Sequence, residues 1–495
     1  MPPATLIPAP RQSTTPNIPT PKPLPRTKPR NSYVGRPSFF FYDLETSGLS
    51  ASDDRIMQFA GQRTNLSLKP IGEPVNFLVR LADDTLPAPT AILTTGITPQ
   101  KTLEQGITES ELAHILSHEI FRPDTISLGF NSVRFDDKFI QHLFWRNFYD
   151  PYEWQWRDGR SRWDMLDVVR MTRALRPEGI NWPVTDDGKP TNRLELITKL
   201  NGISHESAHD ALSDVNALIG VTNLISKKQP KLFEFLFKMR DKREVKALIN
   251  LNHPQPFVYT SGRYGSEFNF TTVVYPLFLT KKGNIVVYDL RINPTELIST
   301  AKDNPKALHP TVKELAPNRC PAVAPLGVLD QSAGWDKLSL TRKQIDTNLQ
   351  LLRSNPSFIK SLRAVYESDT YDKQPVDVEA SLYDSFIPDT DKVRLAAIRT
   401  GTADSLADFH PNFADERLSE LLLHYKAKNF PTSLSEAETV KWSNYRTARL
   451  KRQEPYFISE MERLSKDSSV TSSPEKQFLL QELYLWYQSL RDSDY

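Results

Sequence analysis

The alternation of apolar and polar positions predicts that the first part of the chain mixes strands with helices. Three segments have β-type patterns, and they begin at Ser38 (SFFFYDLE), Arg55 (RIMQFAGQRTN) and Glu73 (EPVNFLVRL). The segment TESELAHILSHEIF has helical spacing and opens with a capping box formed by Thr108 and Glu111. A further strand, TISLGFN, precedes the helical segments FDDKFIQHLFWRNF, RWDMLDVVRMTRAL, RLELITKLNG and HDALSDVNALIGVTNLISKK. This order indicates an α/β domain in which helices cover a mixed sheet, and we expect it to end near residue 229.

The pattern changes after residue 229 and again near residue 370. Short β runs in residues 230–369, namely FVYTSG, FNFTTVVYPLFL and NIVVYDLR, predict a small barrel or curled sheet flanked by helices such as TRKQIDTNLQLLRS. Residues 370–495 return to helical spacing in DERLSELLLHYKAKNF, ETVKWSNYRTARLKR and SPEKQFLLQELYLWYQSL. We therefore expect three domains, at residues 38–229, 230–369 and 370–495.

Residues 1–37 have a different composition from the rest of the chain. They contain 11 of the 38 prolines and six lysines or arginines, but no acidic residue. Such a density of proline prevents helix formation, which excludes the amphipathic helix of a transit peptide, and the apolar stretch of a secretory signal is missing. We expect a disordered basic leader, whose charge allows weak contact with phosphates.

Charge and cysteine content restrict the class of protein further. The formal net charge is only +2 over 495 residues, so any surface that binds nucleic acid must be local. Cys320 is the single cysteine, which excludes an intrachain disulfide and a cysteine-based zinc site and is typical of a reducing cytosol. No apolar stretch approaches the roughly 18–20 residues that cross a bilayer, so we expect no membrane span.

The first predicted strand ends with two acidic residues that share one face. Asp43 and Glu45 are two positions apart, and residues at this spacing in a strand point the same way. Two adjacent carboxylates repel each other, and one holds its proton unless a cation lies between them. Oxygen ligands suit a hard divalent ion such as Mg²⁺ or Mn²⁺, although an acidic strand end leading into a loop also has this sequence.

Two later segments add acidic residues and a histidine at predicted element ends. In LGFNSVRFDDKF a strand ends before a helix that begins with Asp136 and Asp137, and in AHDALSDVNAL His209 lies five residues before Asp214. If His209 precedes the helix, its ring can turn back over the site while Asp214 points into it. Asp137 remains an alternative to Asp136, and Asp210 an alternative to Asp214, although first-turn acids also serve as helix caps.

Residues 144–163, FWRNFYDPYEWQWRDGRSRW, contain eight aromatic residues and four arginines. Bases stack on aromatic rings without regard to sequence, and arginines hold phosphates, so this composition favours a contact with a single strand. The helical spacing of Phe144 and Phe148 predicts that these two rings belong to the core. Tyr152 and Trp156 lie in a proline-containing loop, where we expect them to bind the strand.

Taken together, Asp43-x-Glu45, Asp136 and His209-x4-Asp214 resemble the motifs of the DEDDh exonuclease superfamily, which has a ribonuclease H-like fold. From Phe39 to near the C-terminus, segments such as GFNSVRFDDKFIQHLFWRNFYDPYEWQW, SRWDMLDVVRMTRALRPEGINWP and LLLHYKAKNFP resemble the bacterial exodeoxyribonuclease I family. The resemblance implies that an SH3-like barrel and a helical C-terminal domain follow the exonuclease domain and close a clamp around DNA. The basic leader, residues 1–37, lies outside the part of the chain that shows this resemblance.

The resemblance also implies a chemistry. Asp43, Glu45, Asp136 and Asp214 would bind two Mg²⁺ ions, with Mn²⁺ as a substitute, and such pairs lie about 3.5–4 Å apart. One ion would activate a water and the other would stabilise the leaving oxygen, while His209 would accept the proton of the water. The implied activity is processive 3′→5′ hydrolysis of single-stranded DNA to 5′-mononucleotides, in DNA repair and recombination.

The same resemblance implies binding residues and partners. Glu45, Arg170, Arg193, Tyr152 and Trp156 would contact the single strand, and Arg170 and Arg193 are also suited to surface ion pairs. The basic stretches 231–246 and 425–430 would line the clamp, unless they are simply solvated faces. A further partner is the acidic C-terminal tail of single-stranded DNA-binding protein, for which Arg353 is the candidate contact. The protein would be a monomer in the bacterial cytoplasm.

Two other functions are compatible with parts of this pattern. A DEDDh enzyme that acts on RNA ends would use the same acidic residues, and only contacts at the 2′ position separate the two substrates. A single-strand-binding scaffold without activity is the other alternative. It is disfavoured because all five catalytic positions carry competent side chains.

Overall fold

A sheet of five strands forms the centre of the first domain in the computed structural model, which describes residues 36–205, 210–300, 311–368 and 377–492. The strand order is β3-β2-β1-β4-β5. β1 pairs antiparallel with β2 and parallel with β4, and β4 pairs parallel with β5, so the prediction of a mixed sheet is confirmed. The strands are β1 (Ser38–Thr46), β2 (Ile56–Thr64), β3 (Val75–Leu78), β4 (Thr125–Gly129) and β5 (Ser161–Asp164).

Helices surround this sheet. The capping box at Thr108 is confirmed, because the Thr108 hydroxyl accepts from the Glu111 N–H at 3.2 Å and the Glu111 carboxylate accepts from the Thr108 N–H at 2.7 Å. The helices are α1 (Pro89–Thr95), α2 (Pro99–Gln105), α3 (Glu109–Ile115), α4 (Asp136–Arg146), α5 (Met165–Leu175), α6 (Leu194–Leu200), α7 (Ala211–Lys228), α8 (Pro230–Lys238) and α9 (Lys242–Leu248).

Two expectations about these helices were wrong. The segment that starts at Arg162 was expected to be helical throughout, but Arg162–Asp164 belongs to β5, and the helix begins only where the Asp164 side chain caps the Leu166 N–H at 3.0 Å. No helix was expected between β3 and α3, where α1 and α2 lie. Both are short, and each begins with a proline in its first turn, which suits that position but reads as a loop in the sequence.

A second sheet of five strands follows, and all its pairings are antiparallel, in the order β10-β6-β7-β8-β9. This confirms the prediction of a small β domain, although β9 and β10 were not predicted because each is only four residues long. The strands are β6 (Phe257–Thr260), β7 (Thr271–Leu279), β8 (Ile285–Asp289), β9 (Val312–Leu315) and β10 (Ala322–Pro325). The helices of this part are α10 (Thr295–Thr300), α11 (Gly334–Lys337), α12 (Arg342–Arg353) and α13 (Pro356–Ser368).

The described residues from 377 onward are helical, as predicted. A 3₁₀ segment, Val378–Tyr383, comes first, and the longest helix has 30 residues with Pro455 inside it. The helices are α14 (Asp389–Arg399), α15 (Ala403–Ala407), α16 (Arg417–Asn429), α17 (Glu436–Ser465), α18 (Ser468–Thr471) and α19 (Pro474–Asp492). Among the described residues, no helix combines the length and apolar character needed to span a membrane.

The alternation of side chains along β1 assigns the two faces of the first sheet. Phe39 and Phe41 lie on one face, in a hydrophobic cluster that includes Val215 of α7. Phe40 and Tyr42 lie on the opposite face, in a second cluster that includes residues of α3 and α4. Since Asp43 and Glu45 continue the odd-numbered positions, they share the face that α7 covers.

The first hydrophobic cluster does not stop at the boundary between the first two domains. It contains Trp163 of β5 and Val215 of α7 together with Val258, Val273 and Tyr288 of the second sheet. The mixed sheet and the antiparallel sheet therefore share one continuous apolar core.

Buried charges join the C-terminal helices to the first domain. Glu379 and Asp84 are 1% and 0% exposed. The Glu379 carboxylate accepts hydrogen bonds from the Arg55 guanidinium, from the Lys428 ammonium and from His424 Nδ1, the last at 3.1 Å. Lys428 Nζ also lies 2.9 Å from Asp84 Oδ2. Arg55 and Asp84 belong to the first domain and the other three residues to the last, so these contacts cross the boundary.

The expectation that residues 425–430 line a binding surface was wrong. Lys426 is 1% exposed and its ammonium lies 2.7 Å from Glu438 Oε1. Lys428 is committed to Glu379 and Asp84. These lysines stabilise packing between elements and do not face solvent.

Candidate active site

The acidic residues of the first strand meet an acidic residue of α7. Asp43, Glu45 and Asp214 each present a carboxylate oxygen within 4.8 Å of the others. β1 places Asp43 and Glu45 on the face that α7 covers, and Asp214 lies in the first turn of that helix. We call these three residues the carboxylate cluster. Its three donors are all carboxylate oxygens, which are the ligands that a hard divalent cation prefers.

Asp136 lies beside this cluster. It is the first residue of α4 and is 4% exposed. The backbone N–H groups of Leu44 and of Asp136 itself lie close enough to its carboxylate to oppose the rise of its pKa. Because Leu44 is the residue between Asp43 and Glu45, this contact ties the start of α4 to the acidic end of β1.

The electrostatics of the site favour the binding of protons or of a cation by its carboxylates. Burial, followed by repulsion from Asp136, Asp214 and Glu45, holds the pKa of Asp43 well above its usual range. Burial and repulsion from Asp214 and Asp136 raise the pKa of Glu45 to about 8. Burial and the neighbouring Asp137 raise the pKa of Asp136 to about 8. A divalent cation would relieve this repulsion and displace the protons.

The structure distinguishes the roles of the adjacent residues Asp136 and Asp137. The Asp137 carboxylate accepts hydrogen bonds from the Tyr42 hydroxyl and from the Arg162 guanidinium. It is therefore committed to a buried ion pair, and Arg162 also donates to the Asn318 carbonyl of the second domain at 3.0 Å. Asp137 thus anchors the start of α4, while Asp136 is the member of the pair that lies beside the cluster.

Asp210 is the N-cap of α7. Its carboxylate accepts from the Ser213 N–H at 3.2 Å and from Gln58 Nε2 at 3.1 Å. Asp210 contributes only a minor part of the repulsion that raises the pKa values of Asp43 and Glu45. Asp214, rather than Asp210, belongs to the carboxylate cluster.

Two histidines are relevant to the site, and sequence reasoning considered only one of them. His209 lies outside the described residues, two positions before the start of α7. His205 was not considered, yet its Nε2 lies 2.6 Å from Asp214 Oδ1. The presence of a second histidine in GISHESAHD was the available signal, but its spacing to Asp214 indicated nothing about contact.

The two arginines expected to hold the strand differ in environment. Arg170 Nη1 lies 2.7 Å from Asp167 Oδ1, and the guanidinium stacks over the ring of Phe270 in the second domain at 4.7 Å. The Arg193 side chain is 72% exposed, and its nearest acidic atom, Glu195 Oε1, is 3.9 Å away. Arg193 is therefore available to an anion, whereas Arg170 is already engaged by an ion pair within α5 and by its stacking on Phe270.

The aromatic residues of 144–163 divide between core and surface. Phe144 and Phe148 are 2% and 1% exposed, which confirms that they belong to the core. Trp156 is 65% exposed. Tyr152 lies on the wall of a cavity of about 760 Å³, which residues of the C-terminal part such as Phe386 also line.

The candidate partner contact, Arg353, lies at the end of α12. Its guanidinium donates to the Pro254 carbonyl at 3.1 Å and stacks over the Tyr275 ring at 5.4 Å. This end of α12 is exposed and positively charged.

Three family models together match most of the chain. The model described as exonuclease matches residues 40–222, the exonuclease I SH3-like domain matches residues 240–368, and the exonuclease I C-terminal domain matches residues 376–490. Exodeoxyribonuclease I of Haemophilus influenzae is 38% identical over 463 residues, which cover 90% of this chain and 97% of that protein.

Solved structures give the same result. E. coli exonuclease I in complex with a dA16 oligonucleotide is 36% identical, with a TM-score of 0.85 over 92% of this chain and 100% of that one. A crystal structure of SSB/exonuclease I in complex with the inhibitor CFAM has a TM-score of 0.84 at 36% identity, over 92% of this chain and 100% of that one. With this identity, coverage and domain order, the chain belongs to the exodeoxyribonuclease I family.

Proposed function

We propose that this protein hydrolyses single-stranded DNA from its 3′ end, processively and with release of 5′-mononucleotides. The observation that carries the proposal is the carboxylate cluster of Asp43, Glu45 and Asp214, with Asp136 beside it. The family relation supports the substrate, since a relative of the same fold has been solved with a DNA oligonucleotide. We further propose a role in DNA repair and recombination.

Asp43, Glu45, Asp136 and Asp214 would hold two Mg²⁺ ions, which Mn²⁺ can replace. When bound, such ions supply positive charge to the phosphate and a nucleophile at neutral pH. The residues themselves hold the ligands in place, since β1 and α7 position the cluster and Tyr42 and Arg162 anchor the start of α4 through Asp137. We assign the role of general base to His209, because a histidine just before a helix is kept neutral by the helix dipole.

The strand would be held by stacking and by phosphate contacts. Trp156 and Arg193, both largely exposed, would receive the strand, and Tyr152 would add a ring on the wall of the cavity of about 760 Å³. Glu45 would contact the terminal nucleotide, and Arg170, although paired with Asp167, would contact the strand near the scissile end.

We also propose a protein partner, an oligomeric state, a cellular location and domain boundaries for this protein. The acidic C-terminal tail of single-stranded DNA-binding protein would bind at Arg353, and the SSB/exonuclease I structure of a relative supports such a partner. The protein would act as a monomer in the bacterial cytoplasm, which suits a chain whose single cysteine is buried. We place the domain boundaries at residues 38–229, 230–369 and 370–495, near the limits of the matched family models.

One assay tests substrate, polarity and metal dependence together. Matched DNA and RNA oligonucleotides, labelled at either end, are incubated with the protein in Mg²⁺ or in EDTA, and the products are separated on a gel. With DNA in excess, we expect the 5′-labelled DNA to be converted to short limit products with few intermediates, the 3′-labelled DNA to release a labelled mononucleotide, and no products to form in EDTA. Preferential cleavage of RNA would favour the exoribonuclease alternative.

A variant pair separates catalysis from binding. Asp214→Ala should abolish hydrolysis while DNA binding is retained, whereas Asp186→Ala, which removes an exposed carboxylate in a loop, should behave like the wild type. If Asp214→Ala cleaves DNA at the wild-type rate, the carboxylate cluster is not the active site and the proposal fails.

A further inference from the structure

His205 contacts the carboxylate cluster from outside. It lies between α6 and α7, and its side chain is 5% exposed. Its Nε2 is 2.6 Å from Asp214 Oδ1, and its Nδ1 is 3.2 Å from the hydroxyl of Thr198. Both ring nitrogens are therefore engaged by protein groups in a buried position.

The second contact connects the ring to α6. Thr198 is 0% exposed, and its hydroxyl also lies 3.0 Å from the Leu194 carbonyl and 2.9 Å from the Glu195 carbonyl. The hydroxyl has one hydrogen, which it donates either to a carbonyl or to His205 Nδ1. When the hydroxyl donates to His205 Nδ1, the neutral ring carries its hydrogen on Nε2, where it points at the Asp214 carboxylate 2.6 Å away. When the hydroxyl donates to a carbonyl instead, Nδ1–H donates to the hydroxyl, and only the protonated ring also donates to Asp214. The orientation of the ring is thus set by α6, and the orientation of Asp214 by the ring.

We infer that His205 is a positioning residue, which holds the Asp214 carboxylate in the rotamer that a divalent cation requires. One Asp214 oxygen is oriented by His205, so that the carboxylate presents itself to the cation site formed with Asp43 and Glu45. Hydrogen-bonded outer partners of this kind fix the orientation of metal ligands, and their loss typically reduces metal affinity by about 10–100-fold. The inference rests on the proposed function, because it assumes that the cluster binds a metal.

This role differs from that of a general base. A base must reach the water whose proton it accepts, whereas His205 is buried and has both nitrogens in contact with Asp214 and Thr198. The roles assigned to His209 and His205 are therefore complementary, since one moves a proton and the other orients a ligand.

The test compares two substitutions of similar size and polarity. In His205→Gln the side-chain amide reaches about as far as Nε2 and retains a donor toward Asp214, while the amide of His205→Asn is one carbon shorter. Mn²⁺ binding to the DNA-free protein is measured by isothermal titration calorimetry, and thermal unfolding in EDTA reports whether each variant is folded. We expect wild-type affinity within a few-fold for His205→Gln and about 10–100-fold weaker binding for His205→Asn. Replacement of the exposed His118 by alanine is the matched control and should change nothing.

Activity measured against metal concentration gives a second readout. For His205→Asn we expect the Mn²⁺ concentration for half-maximal activity to rise by a similar factor, with kcat largely restored at saturating metal. If both variants bind Mn²⁺ as the wild type does, or if both lose binding equally, the positioning role is wrong, while the proposed function is unaffected. If the wild-type protein binds no Mn²⁺, the proposed function itself fails.

Discussion

Replacing Glu379 with glutamine should weaken the attachment of the C-terminal helices to the first domain. The carboxylate is 1% exposed and receives hydrogen bonds from Arg55, Lys428 and His424. The substitution removes a buried negative charge and turns amide hydrogens toward two cations. Breaking a buried ion pair on one side costs about 3–5 kcal/mol. Because Asp84 remains 2.9 Å from Lys428 Nζ, we expect the lower end, about 3 kcal/mol.

Urea denaturation followed by circular dichroism measures this loss as a shift of the midpoint. Glu460→Gln is the control, because it removes an exposed pair with Arg463 within α17 and should leave the midpoint nearly unchanged. The pKa of Glu379 lies well below its usual range, chiefly because Lys428 and Arg55 outweigh its burial. Its contribution is therefore present above about pH 4.5, the ordinary range for glutamate, and declines as the pH falls below it. An equal midpoint for Glu379→Gln and Glu460→Gln would refute this reasoning.

Three other predictions concern the site and its surroundings. Because burial and like charges raise the pKa values of Glu45 and Asp136 to about 8, the protein in EDTA should lose thermal stability as the pH rises from about 4.5, an ordinary carboxyl value, to about 8, and Mg²⁺ added within this range should reverse the loss with release of protons; a melting temperature independent of pH and metal would contradict this. Trp156→Ala should weaken binding of single-stranded DNA by about 1–3 kcal/mol, the value of one stacked base, as measured by fluorescence anisotropy in EDTA; unchanged binding would show that the ring is not stacked. Arg162→Gln leaves the buried Asp137 carboxylate without its cation, so we expect a loss of about 3–5 kcal/mol in guanidinium denaturation, and a loss below about 1 kcal/mol would exclude a buried ion pair.

The pattern of the sequence predicted the elements whose periodicity is strong. β1 and β2 and helices such as α4 and α7 were all expected, because their apolar positions repeat over nine or more residues. Short elements were missed when their residues were not distinctive. β9 and β10 have four residues each, and α1 begins with a proline that reads as a turn.

The acidic residues of the site were predicted because strand geometry and motif order both constrain them. The spacing of the motif favoured Asp136 over Asp137, but the physical reason lies with Arg162, which pairs with Asp137 and is 25 residues away from it in the sequence. The same limit applies to Lys428, whose charge suggested a binding surface but whose partners, Asp84 and Glu379, come from distant segments. Ion pairs between distant segments leave no local pattern, so only the folded arrangement reveals them.

The apolar core that passes from the mixed sheet into the antiparallel sheet has an evolutionary consequence. Trp163 and Val258 belong to different family models but to one cluster, so a fragment ending at residue 229 would expose to water the side chains that the second sheet covers. Recombination that exchanged either part alone between relatives would place mismatched surfaces against each other. We expect the two parts to have been inherited together, with substitutions on one side of the seam compensated on the other.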